Sequence, residues 1–289
     1  MPKKEKKPRE YRGVVDEIRQ QQMKTKEMST KGKLEYFWDY YKVHTIAAVL
    51  IIIFVTMFIR DVATSKDYNF YAILFNARQL SGDSLESAFS EYANLDTENY
   101  ECYIDASTNL SLTSFTEYDM ATVQKLMATI QIGDLDTVVF NSELFNNYAG
   151  NEMFTDLRTI LSEEELDVWK DYLYYIDYAE VEANRENMDM DTEETSALGG
   201  GADEEARSQE ILEETNRHRS PDGMEKPVPV GIFLEDSPFA EKSGAYSSLV
   251  PVFGFVSTSK RTDTGKQFLE FLWDESADFT QMIDTSTGF

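Results

Sequence analysis

The 289-residue chain contains one cysteine, Cys102, and two histidines, His44 and His218. A single cysteine forms no intrachain disulfide, so stability must come from packing. It also leaves zinc without a thiolate ligand set. His44 sits at the edge of an apolar run and His218 in an acidic tract, and neither is placed to activate a Ser or Cys nucleophile. No glycine loop is followed by Lys-Ser/Thr, and Gly199–Gly201 also lacks a preceding strand, so a phosphate cradle is excluded. Asp189-Met-Asp191-Thr-Glu193-Glu194 has the opening acids of a calcium loop but lacks its sixth-position glycine and twelfth-position glutamate. Positive charge is scarce too, with 27 Lys and Arg against 53 Asp and Glu, a net of −26. That balance repels nucleic acid. These absences argue against an enzyme, a cofactor and a bound metal.

One long hydrophobic run is present. Val43–Ile59 has no charged residue, and eleven of its seventeen residues are Val, Ile, Leu or Phe. At about −0.3 to −0.6 kcal/mol each, these favour insertion into a bilayer by roughly 3–7 kcal/mol. Tyr36, Phe37, Trp38, Tyr40 and Tyr41 precede the run as an aromatic belt, and Arg60 and Asp61 close it. The 42-residue leader and those closing charges argue against a cleaved signal peptide. Residues 43–60 are therefore expected to be a single transmembrane anchor. Residues 1–42 hold twelve basic and seven acidic side chains. The positive-inside rule puts this arm in the cytoplasm, lying on anionic lipid, and the C-terminal bulk outside the cell membrane. Residues 61–289 carry fourteen basic and forty-six acidic side chains, a net of −32.

Within that bulk, NFYAILFN (69–76), YECYIDA (100–106) and LDTVVF (135–140) have the apolar, β-branched and aromatic content of strands. Between them, 81–95 and 115–132 show apolar residues at helical spacing. The alternation predicts an α/β domain with a mostly parallel open sheet and flanking helices. Ser162 and Glu165 form a capping box for a further helix, with Leu166, Trp169, Leu173 and Ile176 on one face. Tyr174, Tyr175 and Tyr178, off that stripe, are candidates to stack on a sugar or a partner. Residues 180–226 hold fifteen acidic and five basic side chains and no Phe, Tyr or Trp, which predicts a mobile acidic insertion, with a transient helix at Glu204–Glu214. Strands resume at 228–234 and 249–256, and Thr262–Trp273 predicts a closing helix with Phe268, Phe271 and Leu272 inward. The outer domain thus divides into 61–179 and 227–289 around the insertion.

The segment Ile130-x-x-Gly133-Asp134-x-Asp136-x-Val138-Val139, with Tyr148-Ala149-Gly150 and Phe154-x-Asp156-Leu157 after it, resembles bacterial extracellular solute-binding proteins of the type II periplasmic-binding fold. Pro227–Ser237 resembles the returning strand of that fold and Gly265–Trp273 its late helix. The leader Leu34–His44 resembles that of uncharacterised clostridial single-pass proteins. The acidic tract occupies the place of a full second lobe, so the resemblance implies a reduced, membrane-anchored relative. Its implied partner is a small molecule, peptide or glycan. The alternative is docking onto an envelope or transporter protein without a small ligand. In an open α/β sheet the ligand crevice lies beyond the C-terminal strand ends. Those ends offer Asn76, Asp105, Asn141, Ser142, Glu235 and Asp236 as candidate ligand-binding residues.

Overall fold

The computed structural model describes residues 18–19, 23, 29–64, 66–112, 114–188 and 204–284. The chain divides into two compact units, Met1–Ser65 and Lys66–Phe289. The first contains helix α1, Thr30–Thr64. Its Tyr41–Arg60 stretch has a mean hydropathy of 2.3 with no part buried, long and apolar enough to cross a membrane.

The second unit is an α/β fold around one open six-stranded sheet. Its strands are β1 (Tyr68–Leu74), β2 (Glu101–Asp105), β3 (Thr137–Asn141), β4 (Leu173–Asp177), β5 (Pro227–Phe233) and β6 (Pro251–Phe255). They lie in the order β2-β1-β3-β6-β5-β4. Helices α2 (Gly82–Tyr92) and α3 (Glu117–Ile132) link β1 to β2 and β2 to β3, and these three strands are parallel. The remaining pairings, β3 with β6, β6 with β5 and β5 with β4, are antiparallel. The sheet is therefore mixed, not mostly parallel. Parallel strands need crossovers, and in the first half of the unit α2 and α3 supply them, α3 passing over β1 to reach β3.

Strand alternation divides the core in two. Phe70, Ala72 and Leu74 of β1 face one layer, which includes Phe89 of α2 and Phe268, Phe271 and Leu272 of α10 (Thr262–Leu272). Tyr71, Ile73 and Phe75 face the other, with Leu126 of α3 and Leu144 and Phe145 of α4 (Ser142–Ala149). Two glycines on adjacent strands bring α4 close to the sheet. A Cβ at Gly231 would lie 2.5 Å from Phe145, and one at Gly254 2.5 Å from Phe154. The two rings stack at 4.1 Å over this smooth patch.

On the first of these layers lie α5 (Leu157–Ile160) and α6 (Glu163–Trp169), the latter opened by the expected Ser162–Glu165 capping box. The helix stops at Trp169, however, and Leu173–Asp177 is strand β4. Leu173 and Ile176 fit a helical stripe, but the Leu-Tyr-Tyr-Ile run also has strong strand preference, and pairing with β5 decides for the strand. The expectation for 180–226 also changes. Helix α7 spans Tyr178–Met188 and α8 spans Glu204–Arg217. The Asp177 carboxylate then accepts the amides of Glu225 and Lys226 at 2.7 and 2.9 Å, fixing the entry to β5. Residues 189–203, including the Asp189–Glu194 acids, lie outside the described residues. Helix α9 (Pro238–Ser243) and a 3-10 turn at Phe279–Met282 complete the unit.

At the outer edge, the Ile104 amide of β2 has no strand beside it and donates to Glu86 of α2 at 2.9 Å. This side-chain cap blunts the edge. Burial raises the Glu86 carboxyl above its ordinary range despite that amide, with Asp83 and Glu101 adding to the rise. The folded state thus binds the Glu86 proton more tightly than the unfolded chain. Its charged form costs stability at neutral pH, and that cost vanishes below the unfolded value. Glu86→Gln keeps an acceptor for Ile104. It should melt about 1–2 °C above wild type at pH 7.5, with the two curves converging as the pH approaches about 4. A lower melting temperature at pH 7.5 would contradict this account.

Candidate functional site

The six strand-end residues fall on the expected side of the sheet, but most are engaged in holding loops. Asn76, in the left-handed region at φ 59°, donates to the Leu110 carbonyl at 3.0 Å and to Asn141 Oδ1 at 3.2 Å. Its own Oδ1 accepts the Leu110 amide at 2.9 Å. Buried Asp105 accepts the amide and hydroxyl of Ser107 and of Thr108. Burial pushes its carboxyl up, but those donors and Lys125 outweigh it and hold it below the usual carboxylate range. Glu235 pairs with Arg219 at 2.6 Å, and Asp236 is exposed before α9. Asn76, Asp105 and Asn141 form one network across the ends of β1, β2 and β3. Glu235 and Asp236 lie beyond β5, apart from it.

Ser142 differs because it borders a crevice. Its amide donates to the Val250 carbonyl at 2.8 Å, and its hydroxyl is hydrogen-bonded to that of Thr215 of α8 at 2.8 Å. Between α4 and α8 lies a cavity of about 340 Å³, within the roughly 300–1,000 Å³ typical of small-molecule sites. Two contacts frame it. Arg207 of α8 pairs with Glu143 of α4 at 2.5 Å, and the Thr215 hydroxyl donates to the Ile211 carbonyl at 2.6 Å.

The floor is Tyr174 of β4 with His218 stacked on it, centroids 4.5 Å apart and 12° from parallel. Tyr174 is fully buried, so it is not an exposed stacking platform, because β4 turns it into the core. Burial raises its phenol far above the ordinary value, and the Glu214 carboxylate adds to that. His218 is likewise buried, with Nδ1 2.7 Å from the Tyr175 carbonyl. The polar contacts across the floor are long. Tyr174 Oη lies 3.3 Å from Asn146 Oδ1, Asn146 Nδ2 3.4 Å from Glu214, and His218 Nε2 3.3 Å from Glu214. Such contacts are near the weak limit for hydrogen bonds, so a solute offering better geometry can replace them.

The lining carries Glu143, Glu210 and Glu214 against Arg207 and His218. A larger groove of about 740 Å³ follows the edge of β2 near Lys66, Glu86, Glu91 and Glu101. It is shallow, lies away from the strand ends, and has its lysine turned to the Thr97 carbonyl. No protein-family model matches the chain, and no curated protein matches it either. Geometry therefore carries the assignment. Residues 207, 211, 214, 215 and 218 follow helical spacing, and that spacing is the sequence signal for the α8 wall.

Proposed function

We propose that this chain is a single-pass membrane protein whose C-terminal unit binds a small polar solute outside the cell, in the manner of a reduced solute-binding protein. The observation that supports it most is the α4–α8 crevice, whose walls enclose the weakly bonded Tyr174 hydroxyl, Asn146 amide and Glu214 Oε1, while Glu214 Oε2 pairs with Arg217 at 2.9 Å. Seven side chains bearing an amide, hydroxyl or carboxylate oxygen line it, and the excess of carboxylates favours a neutral polyhydroxylated or amine-bearing solute over an anion. The described unit is built on a single sheet. Binding is then insertion between α4 and α8 rather than closure of two lobes.

The test is thermal denaturation of the full-length chain in detergent with sugars, amino acids, polyamines and short peptides. A solute at 100 times its Kd adds about 2.7 kcal/mol, or roughly 5–11 °C for a unit of this size. Glu214→Gln should abolish that shift while keeping the Asn146 contact. If no solute in the panel raises the melting temperature, or if Glu214→Gln responds as wild type does, the crevice is not the site.

The anchor and its orientation rest on the apolar Tyr41–Arg60 helix and the basic balance of residues 1–42. Cys102 is buried, so introduced cysteines report topology against a quiet background. A membrane-impermeant maleimide applied to intact cells should label Thr97→Cys and leave Ser29→Cys unlabelled until the membrane is opened. The reverse pattern would invert the topology.

A further inference from the structure

The outward surface of α3 departs from the rest of this acidic unit. The helix buries Asp119, Thr122 and Leu126, yet Tyr118, Met120, Met127 and Ile132 remain 62, 53, 37 and 65% exposed. Ala121, Gln124, Ala128 and Gln131 lie exposed among them. Over sixteen residues the exposed charges on α3 are Glu117 at its start and Lys125 on its flank. Lys125 is compensated by buried Asp105 at 3.9 Å. An apolar helix face of this kind marks an interaction surface rather than a solvated one.

We infer that this face pairs with α3 of a second copy of the chain, antiparallel about a two-fold axis passing between Gln124 and Lys125. Three features specify the occupant. First, the surface is self-complementary. The axis sets Ala121 against Ala128 of the second copy, where small side chains allow close approach, and brings Tyr118 and Ile132 together at each end. Isologous contact of this sort is the usual geometry of a homodimer.

Second, the end charges match under the same operation. Lys260 Nζ lies 3.6 Å from the Cβ position of Gly133, the residue that caps the C-terminus of α3. Antiparallel pairing carries Glu117 of each copy to that end of the other. Among the described residues neither Glu117 nor Lys260 has an ion-pair partner within its own chain. Third, two units of net −31 (fourteen basic and forty-five acidic side chains in residues 66–289) repel wherever their acidic surfaces meet. On α3 the exposed acid is Glu117, and antiparallel pairing carries it to the C-terminal end of the other helix rather than against its own symmetry mate.

The experiment uses the full-length chain reconstituted in lipid vesicles. Ala121→Cys protein mixed with Ala128→Cys protein should form an oxidised cross-link, whereas either variant alone should not. Glu117→Lys should weaken pairing about tenfold, and adding Lys260→Glu should restore it. Both positions are exposed, so an unchanged far-ultraviolet circular dichroism spectrum confirms that the fold is intact. Cross-linking of Ala121→Cys with itself would mean a parallel or unrelated contact and would overturn the inference. So would a chain that remains monomeric in the vesicles, or recovery of α3 covered by a different protein or by lipid.

Discussion

Asp136→Ala is expected to cost the sheet unit about 3–5 kcal/mol, the usual result of removing one partner from a buried ion pair. Asp136 is 1% exposed at the entry to β3. One carboxylate oxygen accepts the Tyr71 amide of β1 at 2.9 Å and Arg261 Nε at 2.8 Å, and the other accepts the Ser259 hydroxyl at 2.6 Å. The Arg261 guanidinium also donates to the Asp134 carbonyl. One side chain thus joins β1, β3 and the turn that leads from β6 into α10. Truncation leaves a partly buried guanidinium and a buried amide without their acceptor, while the backbone bonds around Asp136 remain. Thermal denaturation of the full-length chain should show a fall of about 6–20 °C. The double variant Asp136→Ala/Arg261→Ala should lose less than the two single losses combined, because the orphaned cation is gone. A loss under about 1 kcal/mol would mean that water replaces the carboxylate without penalty.

How much of this was legible in the sequence depended on how local the deciding interaction is. Strands β1, β2, β3, β5 and β6 and the Phe268–Leu272 face of α10 follow from short apolar patterns, because alternation and helical spacing are properties of neighbouring residues. Asp136 reads as a turn residue in Gly-Asp-x-Asp, since its partner Arg261 lies 125 positions later. Strand β4 was hidden for a related reason. Leu166, Trp169, Leu173 and Ile176 satisfy a helical period, and pairing with β5, more than fifty residues on, overrides it. The strand-end rule pointed to one end of the sheet. It could not separate residues such as Asn76 and Asp105, whose polar groups are consumed by the 107–110 loop, from Ser142, which borders the crevice. At 204–226 a helix over Glu204–Glu214 was legible, but its packing was not. Acidity and the lack of Phe, Tyr or Trp suggested a solvated tract, whereas Ile211, Thr215 and His218 line the inner side of α8 and its end.

Removing Glu180–Lys226, which joins Ala179 to Pro227, therefore tests both fold and site, and it should be severely destabilising. The excision takes away the His218 ring over Tyr174, the bond from the Tyr175 amide to the His218 carbonyl at 2.8 Å, and the amides that Asp177 accepts. It also removes Arg219, whose guanidinium lies 4.1 Å above the Phe233 ring. Uncovering Tyr174 alone costs about 1.5–3 kcal/mol, and β4 becomes an open edge with unpaired amides. The excised chain should melt at least about 10 °C lower, or without a cooperative transition. His218→Ala should reproduce a smaller part of that loss, near 2–3 kcal/mol, through the lost stacking and the Tyr175 carbonyl left without its donor. The two variants differ in what they say about binding. His218→Ala leaves Glu143, Arg207 and Glu214 in place, so any solute shift should be weakened but measurable, whereas excision deletes one wall of the crevice and should abolish it. An excised chain that melts as wild type does would show that α8 contributes nothing to the fold, and a crevice with a wall that is not held in place cannot be a preorganised site.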